Sequence, residues 1–296
     1  MVRMHGSSVK LAEKGGNKMR MAVLSLAATM LLAGSALAQE RTRSLVKYDT
    51  VEIDVIAEGK GPLIVLLPSR GRDSEDYDEV AAGLAKAGFR VLRPQPRGML
   101  ASKGPLKDIT LHDLARDVAT VIERENAGPA VIVGHAYGNW VARMTAVDHP
   151  KLVRGVVLAA AAAKKFPPRL SQLVSKSADA SVPEAERLAA MQEIFFASGN
   201  DPRIWLKGWW AEASEAQRVA AANVKQSDWW HAGTVPLFDL QAGIDPFKPK
   251  GTENELKDEF PDRVTVAVIP NASHALLPEQ PAAVVEAIAG WVRGLK

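Results

Sequence analysis

The stretch Ala130-Val-Ile-Val-Gly134-His135-Ala136-Tyr137-Gly138-Asn-Trp140 decides how the rest of the chain is read. Four apolar residues without a polar interruption predict a buried strand, two glycines bracket a tight turn, and a helix begins at about Asn139. This is the form Gly-x-Nuc-x-Gly, a strand–turn–helix elbow that holds a nucleophile at its tip. Strand and helix approach so closely in such a turn that a Cβ at either flanking position would clash. The tip residue is Ala136, which has no nucleophilic atom.

On both sides of the elbow, strand and helix patterns alternate. Val51 to Ile56 and Leu63 to Leu67 read as strands joined by Gly59-Lys60-Gly61-Pro62. Tyr77 to Ala87 has helical spacing and ends at Gly88, and Arg90 to Leu92 is a short strand. Thr110 with Asp113 is close to a capping box, followed by the apolar stripe Leu111, Leu114, Val118 and Ile122. Val156 to Ala160, Val235 to Gln241 and Val264 to Ile269 read as further strands, and Gln280 to Val292 as a closing helix with Pro281 in its first turn. Between Phe166 and His231 the alternation is replaced by helical segments that hold five of the seven tryptophans. The fold class expected is therefore α/β: a mostly parallel sheet with helices on both faces and a helical cap over the carboxyl ends of the strands.

The whole chain carries a net charge of +3, but the first 38 residues hold five of the basic side chains and one acid. What remains is 32 basic against 33 acidic, so the body of the protein has no electrostatic signature of nucleic-acid binding. The N-terminal segment reads as a secretory signal: a basic stretch ending at Arg20, an apolar run from Met21 to Leu32, and Ala36-Leu37-Ala38 as a cleavage site. Cleavage after Ala38 and a periplasmic or secreted location are expected, with an uncleaved anchor as the alternative. No other apolar run is long enough for a transmembrane helix. The expected organisation is thus a signal at 1–38, core at 39–165, cap at 166–232 and core again at 233–296. The absence of cysteine removes disulfides, thiolate catalysis and cysteine metal ligation from consideration.

Three stations in order give the chain a resemblance. Gly134-His-Ala-Tyr-Gly138, then Asp239-Leu-Gln-Ala-Gly-Ile-Asp245-Pro, then Ile269-Pro-Asn-Ala-Ser-His274-Ala follow one another as nucleophile, acid and histidine do in the α/β-hydrolases. From about Val51 to the end the sequence resembles that family, with the cap its least specific part. The resemblance implies His274 as general base and Asp245 as the group that fixes its tautomer and stabilises the imidazolium. It implies an oxyanion hole made of the Tyr137 N–H and one N–H from the loop after Leu67. The family usually has His-Gly in that loop, where this chain has Pro68-Ser69. Proline has no N–H, so the donor is expected at Ser69 or Arg70. Asp239 is the rival acid, but it lies within its strand. Arg70, Trp209, Trp210 and Trp230 are candidates for the substrate pocket, although cap tryptophans more often form core. His135 is expected to pack beside the elbow.

Ala136 admits three readings. A serine has been replaced, leaving a protein that traps its ligand; the chain is a natural binding protein; or the chemistry needs only His274 and Asp245, as in base-catalysed proton abstraction. The intact glycines, acid and histidine favour the first. The expected activity is cleavage of an ester or lactone of a small apolar molecule through a nucleophile–His–Asp triad, with this chain itself inactive. Neither a cofactor nor a metal is implied, and the partner is a small-molecule substrate.

Overall fold

The computed structural model describes residues 41–295, and the expected signal at 1–38 lies outside them. Eight strands are present: β1 (Thr42–Tyr48), β2 (Val51–Gly59), β3 (Leu63–Leu67), β4 (Arg90–Pro94), β5 (Ala130–His135), β6 (Val153–Ala159), β7 (Leu237–Ala242) and β8 (Val264–Ile269). They form one sheet in the order β1-β2-β4-β3-β5-β6-β7-β8. All neighbours from β4 through β8 run parallel, while β1 and β2 pair antiparallel at one edge.

β3 is apolar throughout, and β5 is apolar up to His135, because both faces are covered. In β3, Leu63, Val65 and Leu67 face one cluster and Ile64 and Leu66 the other. Helices Leu111–Glu125 and Gly138–Asp148 close the first face, and helices Asp78–Lys86 and Pro281–Gly294 the second. Each fully buried aliphatic side chain adds roughly 1.5–3 kcal/mol to the core. The capping box at Thr110 is complete: the Asp113 carboxylate accepts the Thr110 N–H at 2.8 Å, and the Thr110 hydroxyl meets the backbone of Asp113.

Strand β1 escapes the sequence pattern. Of its seven residues only Val46 is buried, so it shows neither alternation nor an apolar run. Its seven Cα pairs with β2, from Thr42↔Ala57 to Tyr48↔Val51, hold it in place.

Between β6 and β7 the chain leaves the sheet and builds four helices, Pro168–Ala178, Glu184–Ile194, Ala211–Ala222 and Gln226–Trp230. They carry a small core of their own in which Phe195, Phe196 and Trp205 pack with Met191 and Ile194. Phe247 and Ala275, from loops after β7 and β8, join the same cluster, which ties this insertion to the carboxyl edge of the sheet. Among the described residues no helix is long and apolar enough to cross a membrane.

Candidate active site

β5 ends at His135, and the next residue turns sharply into the helix Gly138–Asp148. The turn is made by giving Ala136 a left-handed backbone, φ 48°. For a residue with a Cβ that conformation costs roughly 1–2 kcal/mol. Two backbone bonds hold it, from Ala136 N–H to the Ala159 carbonyl (3.0 Å) and from Asn139 N–H to the Ala136 carbonyl (3.1 Å). The flanking glycines are required by space. A Cβ on Gly134 would stand 2.4 Å from the Asn139 backbone, and one on Gly138 would stand 2.5 Å from the Leu67 carbonyl oxygen.

Asp245 and His274, on the loops after β7 and β8, are brought together. The His274 Nδ1 lies 2.9 Å from one Asp245 oxygen and 3.1 Å from the other. A carboxylate accepts, so Nδ1 carries a proton, and in the neutral ring Nε2 is the acceptor. The Phe247 N–H also donates to Asp245, at 2.8 Å, fixing the carboxylate. Phe247 then stacks on the imidazole with 4.1 Å between ring centres. The backbone of this loop is fastened on both sides of the histidine. Ser273 N–H donates to Glu279 (2.6 Å) and Ala275 N–H donates to the Phe195 carbonyl (2.7 Å).

His135 is fully buried and bridges two segments of the site. Its Nε2 donates to the His274 carbonyl at 2.6 Å, because a carbonyl can only accept. Its Nδ1 must then accept the Tyr77 hydroxyl proton at 2.7 Å, and the Tyr77 oxygen in turn accepts the Ser69 N–H at 3.0 Å. Burial, with a smaller contribution from His274, pushes the His135 pKa down to about 3, so the ring stays neutral.

That chain of bonds takes up the Ser69 N–H, one of the two loop donors expected, the other being Arg70. The Ser69 N–H is committed to Tyr77 and points into the fold. Among the described residues the Arg70 and Tyr137 N–H groups have no such partner.

A cavity of about 420 Å³ opens above the elbow. Ala136, Tyr137 and His274 form its floor, and Phe166, Val174 and Trp229 of the helical insertion form its roof. Arg70 lines it as expected, but Trp209, Trp210 and Trp230 do not. Trp209 lies against the Arg72 guanidinium, Trp210 donates to Asp73, and Trp230 stacks under Arg143 and donates to Glu259. Trp140 and Trp229, stacked on each other with 5.3 Å between centres, line the cavity instead. Trp140 lies in the first turn of the helix that follows the elbow. The rival acid Asp239 is buried within β7, where Lys248 (3.1 Å) and Gln241 (2.7 Å) bind it, and it makes no bond to His274. Among the described residues no group of three or more His, Asp or Glu is placed to share a metal ion.

The sequence pattern of the "Alpha/beta hydrolase family" matches residues 64–287. The chain belongs to the alpha/beta hydrolase family. Within that family it is 30% identical to the pyrrolizixenacetamide deacetylase of Xenorhabdus hominickii over 114 residues, 38% of this chain and 42% of that one. It is 26% identical to the "Putative carbamate hydrolase RutD" of Variovorax paradoxus, with 75% of this chain and 88% of that protein covered. The chain therefore spans less than half of the first relative and most of the second. An esterase from Exiguobacterium antarcticum superposes with a TM-score of 0.72 at 17% identity, over 86% of this alpha/beta hydrolase and 100% of the esterase, a likeness of fold.

Proposed function

We propose that this chain carries the acyl-transfer site of a hydrolase for a small, largely apolar ester or lactone, with alanine standing where a serine nucleophile would act. The observation that carries the reading is a coincidence in one cavity: a strained left-handed elbow at Ala136 and a His274 whose Nδ1 is bound to Asp245, leaving Nε2 as base. A backbone strained at one residue without a glycine is a feature retained for the direction in which its side chain points. The relatives, a deacetylase, a carbamate hydrolase and an esterase, support a hydrolytic reading.

With serine at position 136 the steps follow from the geometry. His274 Nε2 takes the hydroxyl proton as the oxygen bonds to the carbonyl carbon, and the Arg70 and Tyr137 N–H groups hold the resulting oxyanion. The imidazolium, stabilised by Asp245, returns the proton to the leaving alkoxide. Water then bonds to the acyl carbon as it loses a proton to the same nitrogen; the acyl–serine bond breaks, the proton returns to the serine oxygen, and the acid leaves. In the chain as it stands the first bond cannot form, so it is a ligand-binding protein with very slow turnover.

The experiment is Ala136→Ser with 4-nitrophenyl acetate and butyrate. Hydrolysis rising by a factor on the order of 10⁴ supports the reading. No gain in a folded variant would overturn it. Full turnover by the alanine form would also overturn it, in favour of chemistry that needs only His274 and Asp245.

A further inference from the structure

We propose that the ligand carries an anionic group, a carboxylate in its simplest form, on its apolar body, and that the Arg70 side chain receives it. This specifies the substrate class of the site above and rests on the acyl-hydrolase reading.

The cavity lining includes two arginines and no Asp or Glu. Arg218, half exposed, is already paired with Glu215 at 2.8 Å. Arg70 has no carboxylate partner among the described residues. Its Nη2 makes two long bonds to neutral groups of the helical insertion, the Ser171 carbonyl (3.3 Å) and the Ser175 hydroxyl (3.2 Å). Its Nε is buried with no partner. Burial pushes its pKa down, and the Glu215 charge offsets this only in part. Leaving donors of a guanidinium unsatisfied beside an apolar cavity is costly for the fold alone. A guanidinium whose Nε is unspent, and whose Nη2 holds only two long bonds to neutral groups, matches a carboxylate in charge.

Its position adds a geometric restriction. The same residue offers its backbone N–H to the carbonyl oxygen and its side chain to the anion. Both groups of the ligand must therefore lie within one arginine's span, as the ester and the free carboxylate of a short dicarboxylic half-ester do. The rest of the lining, Trp140, Trp229, Phe195 and Phe247 among it, suits an apolar alcohol portion.

Monobenzyl glutarate and benzyl pentanoate match in size and differ only in the carboxylate. Calorimetric titration of the chain as it exists, with Ala136 in place, is expected to show the half-ester binding about tenfold more tightly, an advantage that shrinks as ionic strength rises. Arg70→Gln is expected to remove the preference and Arg70→Lys to retain part of it. Equal affinity for the two ligands, or an undiminished preference in Arg70→Gln, would overturn the proposal. The Ala136→Ser variant separates this from the acyl-hydrolase reading. Hydrolysis of both esters at equal kcat/KM sinks the anion site and leaves the hydrolase. Hydrolysis of neither, with half-ester preference intact in the alanine form, sinks the hydrolase and leaves the anion site.

Discussion

His135 Nε2 donates to the His274 carbonyl oxygen at 2.6 Å, so the last residue of the elbow strand holds the loop of the proposed base. Through Tyr77 the same imidazole also reaches the Ser69 N–H. One neutral ring thus sets the spacing between three segments, the loop after β3, the elbow after β5 and the loop after β8.

A pH dependence follows. In the folded chain His135 takes a proton only near pH 3, whereas an unfolded histidine takes one near 6.5. Between those values the unfolded state binds more protons, so stability is complete above about pH 6.5 and is lost as the pH falls toward 3. The slope due to this one group is at most about 1.4 kcal/mol per pH unit. Urea unfolding between pH 5 and 7 is expected to show a rising midpoint, and His135→Gln to show a shallower slope. An unchanged slope in that variant would remove His135 as its source.

The Asp245–His274 pair predicts a kinetic signature in the Ala136→Ser background. Asp245→Asn leaves a similar volume but permits the wrong imidazole tautomer, and a loss of kcat on the order of 10⁴ is expected. His274→Ala is expected to lose at least as much. Since the two act as a unit, the double variant is expected to lose little more than His274→Ala alone. Additive losses would show that the pair does not work as one.

Ala136 is held at φ 48°, so a residue that accepts a left-handed backbone relieves strain. Ala136→Gly is expected to stabilise the fold by roughly 0.5–1 kcal/mol, and Ala136→Val, β-branched, to destabilise it by more than that. Thermal melts decide the sign.

Glu279 fastens the base loop to the helical insertion. Its carboxylate accepts from the N–H groups of Ala197 (2.7 Å) and Ser273 (2.6 Å) and from the Asn200 amide. Glu279→Ala orphans these donors, and a loss of about 2–3 kcal/mol is expected. Faster hydrogen exchange at the Ala197 and Ser273 amides is the specific readout; exchange unchanged there would place the effect elsewhere.

How legible all this is in the sequence depends on what each residue is asked to do. β3, β5 and β6 stand out because burial on both faces demands uninterrupted apolar runs. β1 is invisible because, on the edge, only Val46 is buried. Asp245 and His274 are legible because their loops follow strands in a fixed order. The loop donor is not, since the fate of the Ser69 N–H is settled by Tyr77, eight residues away. The tryptophans mislead for a related reason. Trp229 and Trp230 are chain neighbours with the same composition signal, and only the way their helix docks sends one to the cavity and the other under Arg143.

Gly134 and Gly138 admit no side chain because backbone atoms already occupy the space a Cβ would take. Ala136 lies between them, and its side chain is the part of the turn that fills no structural role. The elbow therefore behaves as a socket. Serine, cysteine or aspartate in it is expected to leave the strand, the helix and the facing loops in place. On the proposed reading, gain or loss of catalysis is then a single-residue event in a turn whose flanks are fixed by space.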